Sequence, residues 1–185
     1  MKRVIVSALF LLLLSIFEAC LHTQIQRQPA AGDNLGFEIT EHGLPSNWII
    51  YNPPKCEHTV YADTSEYKEG SHSLRFDITT CTEEDKVNFT GFTNEFMELT
   101  RGGGKYHVSF WLRNQGTQMS IYINGVRAKG AGEQPIIIDV NDSFSEWKQF
   151  ETDVAIDPDM WLRLELQVRG KGSCWIDDVK IEKTK

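Results

Sequence analysis

Helical periodicity is what this sequence lacks most plainly. No apolar pattern of period 3.6 and useful length occurs after residue 33, which argues against a helical bundle or a domain built on crossover helices. Positive charge is also in deficit. Nineteen lysines and arginines against 26 acidic residues leave a net charge of −7, and a surface of that sign repels nucleic-acid phosphates. Cysteine is scarce, with four in 185 residues and no CxxC spacing, and the five histidines stand at no metal-ligand spacing; a zinc centre is not expected. There is no nucleophile elbow, no HExxH and no supported Ser/His/Asp arrangement, and "RGGGK" (101–105) lacks the spacing of a phosphate loop. A carboxylate-pair hydrolase needs two opposed acids, and the outward row described below offers one, Glu165. The chain reads as a binding or structural protein and not an enzyme.

What is present begins with Lys2 and Arg3 and an apolar run from Val4 to Phe17. That run is short for a membrane span and gives way at once to polar sequence, so residues 1–19 read as an export signal. Glu18-Ala19-Cys20 resembles the bacterial lipoprotein signal, whose cysteine becomes lipidated, although Phe17 and Glu18 depart from that pattern. Two readings stand: a chain lipid-anchored in the cell envelope through Cys20, or ordinary cleavage and soluble secretion. In the first, residues 20–33 are a polar tether between membrane and domain.

From residue 34 to 185 the pattern has period two. "KYHVSFWLR" sends Tyr106, Val108, Phe110 and Leu112 to one face; "WLRLELQV" does the same with Leu162, Leu164, Leu166 and Val168. Similar short runs recur between turn residues, with Asn124-Gly125 as a hairpin signal and "NEFMEL" (94–99) counted among the strands. The fold class is therefore all-β, a single antiparallel β-sandwich. Pairing Val60 with Phe76 in a hairpin places Cys56 opposite Thr80, one residue from Cys81. A bulge would let Cys56 and Cys81 bond, which an exported chain allows. Cys174, on the last strand, reads as a buried free thiol.

The order of pieces "NLGFE" (34–38), "LPSNW" (44–48), "EGSHSLRFD" (69–77), "GGKYHVSFWLR" (103–113), "WKQFETDVAI" (147–156), "LRLELQV" (162–168) and "WIDDVKIE" (175–182) resembles a known family. It is that of the jelly-roll carbohydrate-binding modules of the xylan- and β-glucan-binding type, within the galactose-binding-domain-like superfamily. The resemblance covers the whole domain and implies non-catalytic binding of a polysaccharide or glycan. It also implies a structural calcium ion held by Glu38, by carbonyls near Gly36 and in the 68–71 loop, and by Asp177. Unbroken alternation along the last strand would put Trp175, Asp177, Val179 and Ile181 inward and Asp178 in solvent; the alternative for Asp177 is a carboxylate that only accepts backbone N–H bonds. Sugar needs an aromatic platform beside hydrogen-bonding side chains, and Trp111, Arg113, Tyr122, Arg163, Glu165 and Gln167 are the outward residues that supply them. The second reading is a cell-surface domain that docks another protein and binds no sugar.

Overall fold

The structure, a computed structural model, describes residues 34–51, 56–81 and 90–185. The export signal, Cys20 and the tether lie outside the described residues. In chain order the elements are β1 (Thr40–Glu41), β2 (Leu44–Pro45), β3 (Ile49–Tyr51), β4 (Cys56–Asp63), β5 (Ser73–Cys81), β6 (Thr90–Glu95), α1 (Met97–Thr100), β7 (Gly104–Gln115), β8 (Gln118–Val126), β9 (Ile136–Val140), β10 (Phe144–Ile156), β11 (Trp161–Arg169) and β12 (Gly172–Lys183). Apart from the β1-β2 hairpin they form two five-stranded sheets, β10-β7-β12-β5-β4 and β3-β6-β11-β8-β9. Every pairing is antiparallel.

The alternating residues close the sandwich. Tyr106, Val108, Phe110 and Leu112 of β7, with Leu74 and Phe76 of β5, meet Leu162, Leu164, Leu166 and Val168 of β11 and Met119, Ile121 and Ile123 of β8 in one core. Each such side chain contributes about 1.5–3 kcal/mol by leaving water. Trp48 caps one end, its ring 4.6 Å from that of Phe92 and 4.9 Å from that of Phe37, and its indole N–H donates to the Asn34 carbonyl at 2.9 Å.

Three local expectations change. The stretch 97–100 is helical and not a strand: Thr100 and the preceding Phe96 are buried while Met97 and Leu99 are exposed, an i,i+4 face. Thr100 Oγ1 donates to the Phe96 carbonyl at 2.7 Å and accepts from Leu162 N at 2.9 Å, which fixes the turn to β11. Asn124-Gly125 is no hairpin turn but lies inside β8, and the chain reverses beyond Val126. There Glu133 folds back, its carboxylate accepting from Gly125 N at 3.0 Å and Asp157 N at 3.2 Å.

The third change is a bulge in β12. Asp177 pairs with Trp111 and Lys180 with Ser109, so β12 carries one extra residue there. Asp178 absorbs it at φ +49°, the left-handed region that aspartate tolerates better than most residues. The bulge flips the parity of the strand. Val179 and Ile181 face the core as expected, but Trp175 and Asp177 are on the outer side, in register with Arg113 and Trp111. In β4 the expected bulge is present: Glu57 pairs with Thr80 but His58 with Ile78, which brings Cys56 directly opposite Cys81. Cys56 is disulfide-bonded; Cys174 is a buried free thiol, its pKa pushed up to about 12 by burial.

Candidate functional site

The structure divides the six expected sugar-contacting residues between two faces. Tyr122, Arg163, Glu165 and Gln167 share the outer face of the β3-β6-β11-β8-β9 sheet, where Glu165 pairs with Tyr122 and Arg163 with Asn124. Trp111 and Arg113 belong to β7, in the other sheet, and so lie on the opposite side of the sandwich. Their outward parity is as expected. Alternation fixes which way a side chain points but not which of two sheets its strand joins.

On the first face, β11 holds a ladder of polar side chains. Arg169 Nη2 donates to Gln167 Oε1 at 3.1 Å, Gln167 Nε2 donates to Glu165 Oε1 at 2.8 Å, and Arg163 Nη2 lies 3.8 Å from Glu165 Oε2. The Nε atoms of Arg163 and Arg169 and the Oδ1 of the buried Asn124 have no hydrogen-bond partner. Such buried polar atoms are uncommon and call for a partner. A second aromatic side chain on this face is Trp161, four residues along β11 from the register partner of Tyr122: it shares the outward parity of β11, and its indole N–H donates to Glu95 Oε2 at 2.9 Å. Ser120, whose hydroxyl donates to Asp139 Oδ1 at 2.7 Å, completes the polar set. Register with β11 was the missing signal for Asn124, Ser120 and Glu95.

The opposite face does different work. A row across four strands alternates cation and ring: the Arg113 guanidinium is 5.0 Å from the Trp175 ring, the Arg75 guanidinium is 4.7 Å from the same ring, and Arg75 is also 5.5 Å from the Tyr61 ring. Asp63 Oδ2 accepts from Trp175 Nε1 at 2.9 Å and from Arg75 Nη1 at 3.1 Å, while Asp77 accepts from Arg75 Nε at 2.9 Å. Burial opposes ionisation of Asp63, but bonds from Ser65, Trp175 and Arg75 hold it well below the usual carboxylate range. Arg113 pairs with Glu66 of the loop 64–72, and Lys68 of that loop covers the Trp111 ring at 4.0 Å. Most of these groups bond to each other and to the loop, which the row ties down, while Arg113 Nε, like those of Arg163 and Arg169, has no hydrogen-bond partner.

The same loop meets both carboxylates of the expected metal site. Asp177, 0% exposed, accepts from Lys68 N at 2.6 Å and Glu69 N at 3.0 Å through Oδ2, and from Asp178 N at 2.6 Å through Oδ1. Glu38 accepts from Ser71 N at 2.9 Å and His72 N at 3.1 Å through Oε1, and from Ser71 Oγ at 2.6 Å through Oε2. Gly70, at φ +70°, has no room for a Cβ, which would stand 2.1 Å from Glu38 Oε1. Calcium wants six to eight oxygen ligands. Here both carboxylates accept N–H donors of 68–72 while their oxygens keep further lone pairs, and among the described residues no group of three or more His, Cys, Asp or Glu is placed to hold a metal.

Two opposite titrations result. Burial pushes the Asp177 carboxyl from 3.8 up to about 6, against the pull of the Glu69, Lys68 and Asp178 amides. Its proton binds the folded state more tightly, so its stabilising contribution is full below about 4 and is lost as pH rises through about 6. For Glu38, burial would raise the pKa, but the bonds from Ser71 and His72 outweigh it and hold the group at about 2; this contribution is lost as pH falls from about 4.5 toward 2. The melting temperature should therefore decline between pH 4.5 and 7, and Asp177→Asn should flatten that decline. An unchanged slope in the variant would remove Asp177 as its source.

An antiparallel jelly-roll sandwich with polar and aromatic side chains on both outer faces defines the fold class. No protein-family profile matches the sequence and no curated protein matches it; solved structures do. The family 61 carbohydrate-binding module TmCBM61, solved with β-1,4-galactotriose, superposes with a TM-score of 0.62 at 18% identity over 82% of this chain and 97% of that one. The CBM22-1 xylan-binding domain of Paenibacillus barcinonensis Xyn10C gives 0.57 at 14% identity over 81% and 92%. A CBM4 structure gives 0.57 at 15% identity over 82% and 99%. At these identities the likeness establishes the fold, the β-sandwich of carbohydrate-binding modules.

Proposed function

We propose that the protein binds a polysaccharide or glycan, without catalysis, on the outer face of the β3-β6-β11-β8-β9 sheet. The observation that carries this reading is the single face on which Tyr122 and Trp161 stand beside the Arg163–Glu165–Gln167 ladder. Rings stack on the C–H faces of a pyranose, and carboxylate, amide and guanidinium exchange hydrogen bonds with its hydroxyls. The unpartnered Asn124 Oδ1 and arginine Nε atoms support it, as does a fold shared with modules solved as galactan and xylan binders. A glycan array and affinity electrophoresis against galactans, xylans and β-glucans test it. Retention by at least one polymer is expected; retention by none would overturn it in favour of a protein-docking domain.

The finer parts of the reading are also proposals. Residues 1–19 export the chain and Cys20 anchors it by lipid, which the leader sequence supports; a mature chain that begins elsewhere and fractionates as soluble protein would leave plain secretion. Cys81 is the disulfide partner of Cys56, which the register supports. A structural calcium ion at Glu38 and Asp177 closes the seam between the N-terminal segment and β12, which the meeting of both carboxylates with the 68–72 loop supports, so chelator should lower the melting temperature. Unfolding indifferent to chelator would leave the carboxylate–amide clasp alone.

A further inference from the structure

The strand register lays one row of positions across all five strands of the proposed binding sheet: Ile49, Thr93, Glu165, Tyr122 and Ile137. Its centre is the site just described. Its ends are bare isoleucines, 63% exposed at Ile49 and 52% at Ile137. Their chain neighbours Ile50, Ile136 and Ile138 pack against the core, so alternation turns Ile49 and Ile137 to the outer face. One exposed apolar side chain is ordinary. Here there are two, both on edge strands, where charge is the usual guard against unwanted pairing, and both in register with the polar centre. Strands about 4.8 Å apart separate the two ends by about 19 Å.

We propose that Ile49 and Ile137 are the outer contacts of the glycan site, which seats an extended sugar chain across the strands and not along β11. The inference rests on the sugar-binding reading and adds its direction and its ends. Aliphatic side chains pack on pyranose C–H faces at the two ends, as the Tyr122 ring does at the centre, while Glu165 meets hydroxyls between them. The neighbouring row runs parallel, with Gly91, Gln167, Ser120 and Asp139. A Cβ at Gly91 would stand 1.8 Å from the Leu166 carbonyl oxygen, so no side chain rises at that position and the floor is low beside the first row. Along β11, in contrast, Arg169, Gln167 and Glu165 are tied end to end by hydrogen bonds. That makes a ridge for a chain to cross.

The test is calorimetric titration of short and long β-1,4-galactan and xylan fragments into the wild-type chain and into Ile49→Asn and Ile137→Asn. Both positions are exposed, so melting temperatures should match the wild type. Each variant should bind long fragments about fivefold more weakly and the shortest binding fragment as the wild type does. Unchanged affinity for long fragments, with Tyr122→Ala losing it, would overturn the crossing path and leave sugar binding intact. A change in sedimentation without a change in sugar affinity would overturn it too, making the isoleucines a self-association surface. No binding of any fragment by the wild type would remove the sugar reading itself.

Discussion

Trp175→Ala is expected to lower the melting temperature by about 10 °C or more. Truncating a buried tryptophan costs about 3–5 kcal/mol, and a chain of this size loses about 2–4 °C per kcal/mol. Trp175 is 3% exposed although it points away from the inter-sheet core; what buries it is the flanking pair Arg75 and Arg113. Cation–ring contacts of this desolvated kind contribute about 2 kcal/mol. Removing the ring also takes the indole N–H from Asp63, which then holds Arg75 and Ser65 alone. Arg113 loses its platform while still paired to Glu66, so the loop 64–72 loosens with it. Trp175→Phe keeps a ring and loses only the N–H, and should fall between the two. A Trp175→Ala melting temperature within about 2 °C of wild type would mean that the row adds nothing to the fold.

That row also marks where sequence reasoning stopped. The inward faces of β7 and β11 were legible because each alternates without interruption for a whole strand, and the sandwich follows from several such strands. Trp175 reads as core only if alternation runs on to Ile181. The single extra residue at Asp178 breaks it. The pair Asp177-Asp178 was the available signal, since aspartate is depleted in strands but enriched in the left-handed conformation a bulge can require. Asn124-Gly125 misled for the opposite reason. Its glycine is required by the Glu133 carboxylate, which a Cβ would meet at 2.3 Å, and not by a turn. The candidate site was half legible. Arg163, Glu165 and Gln167 came from one strand, and Tyr122 from a strand that proved to be its neighbour. Trp111 and Arg113 came from a strand whose sheet depends on long-range pairing, which no local pattern encodes.

This division yields the sharpest test of function. Tyr122→Ala should weaken binding of whichever polymer the wild-type chain retains by about thirtyfold, the loss of a central aromatic contact worth about 2 kcal/mol. Trp161→Ala should weaken it too, and by less, because its indole N–H is engaged by Glu95 at the start of the strand. Glu165→Gln keeps the shape of the ladder but takes the charge from its centre, so hydroxyl donors lose a charge-assisted acceptor. Trp111→Ala should leave affinity unchanged and cost stability instead, since its ring lies under Lys68 on the other side of the sandwich. Affinity electrophoresis and thermal unfolding on the same four variants separate the effects. If Trp111→Ala abolished retention while Tyr122→Ala kept it, the binding face would be the β10-β7-β12-β5-β4 sheet, and the row around Trp175 would have to be read as a sugar site.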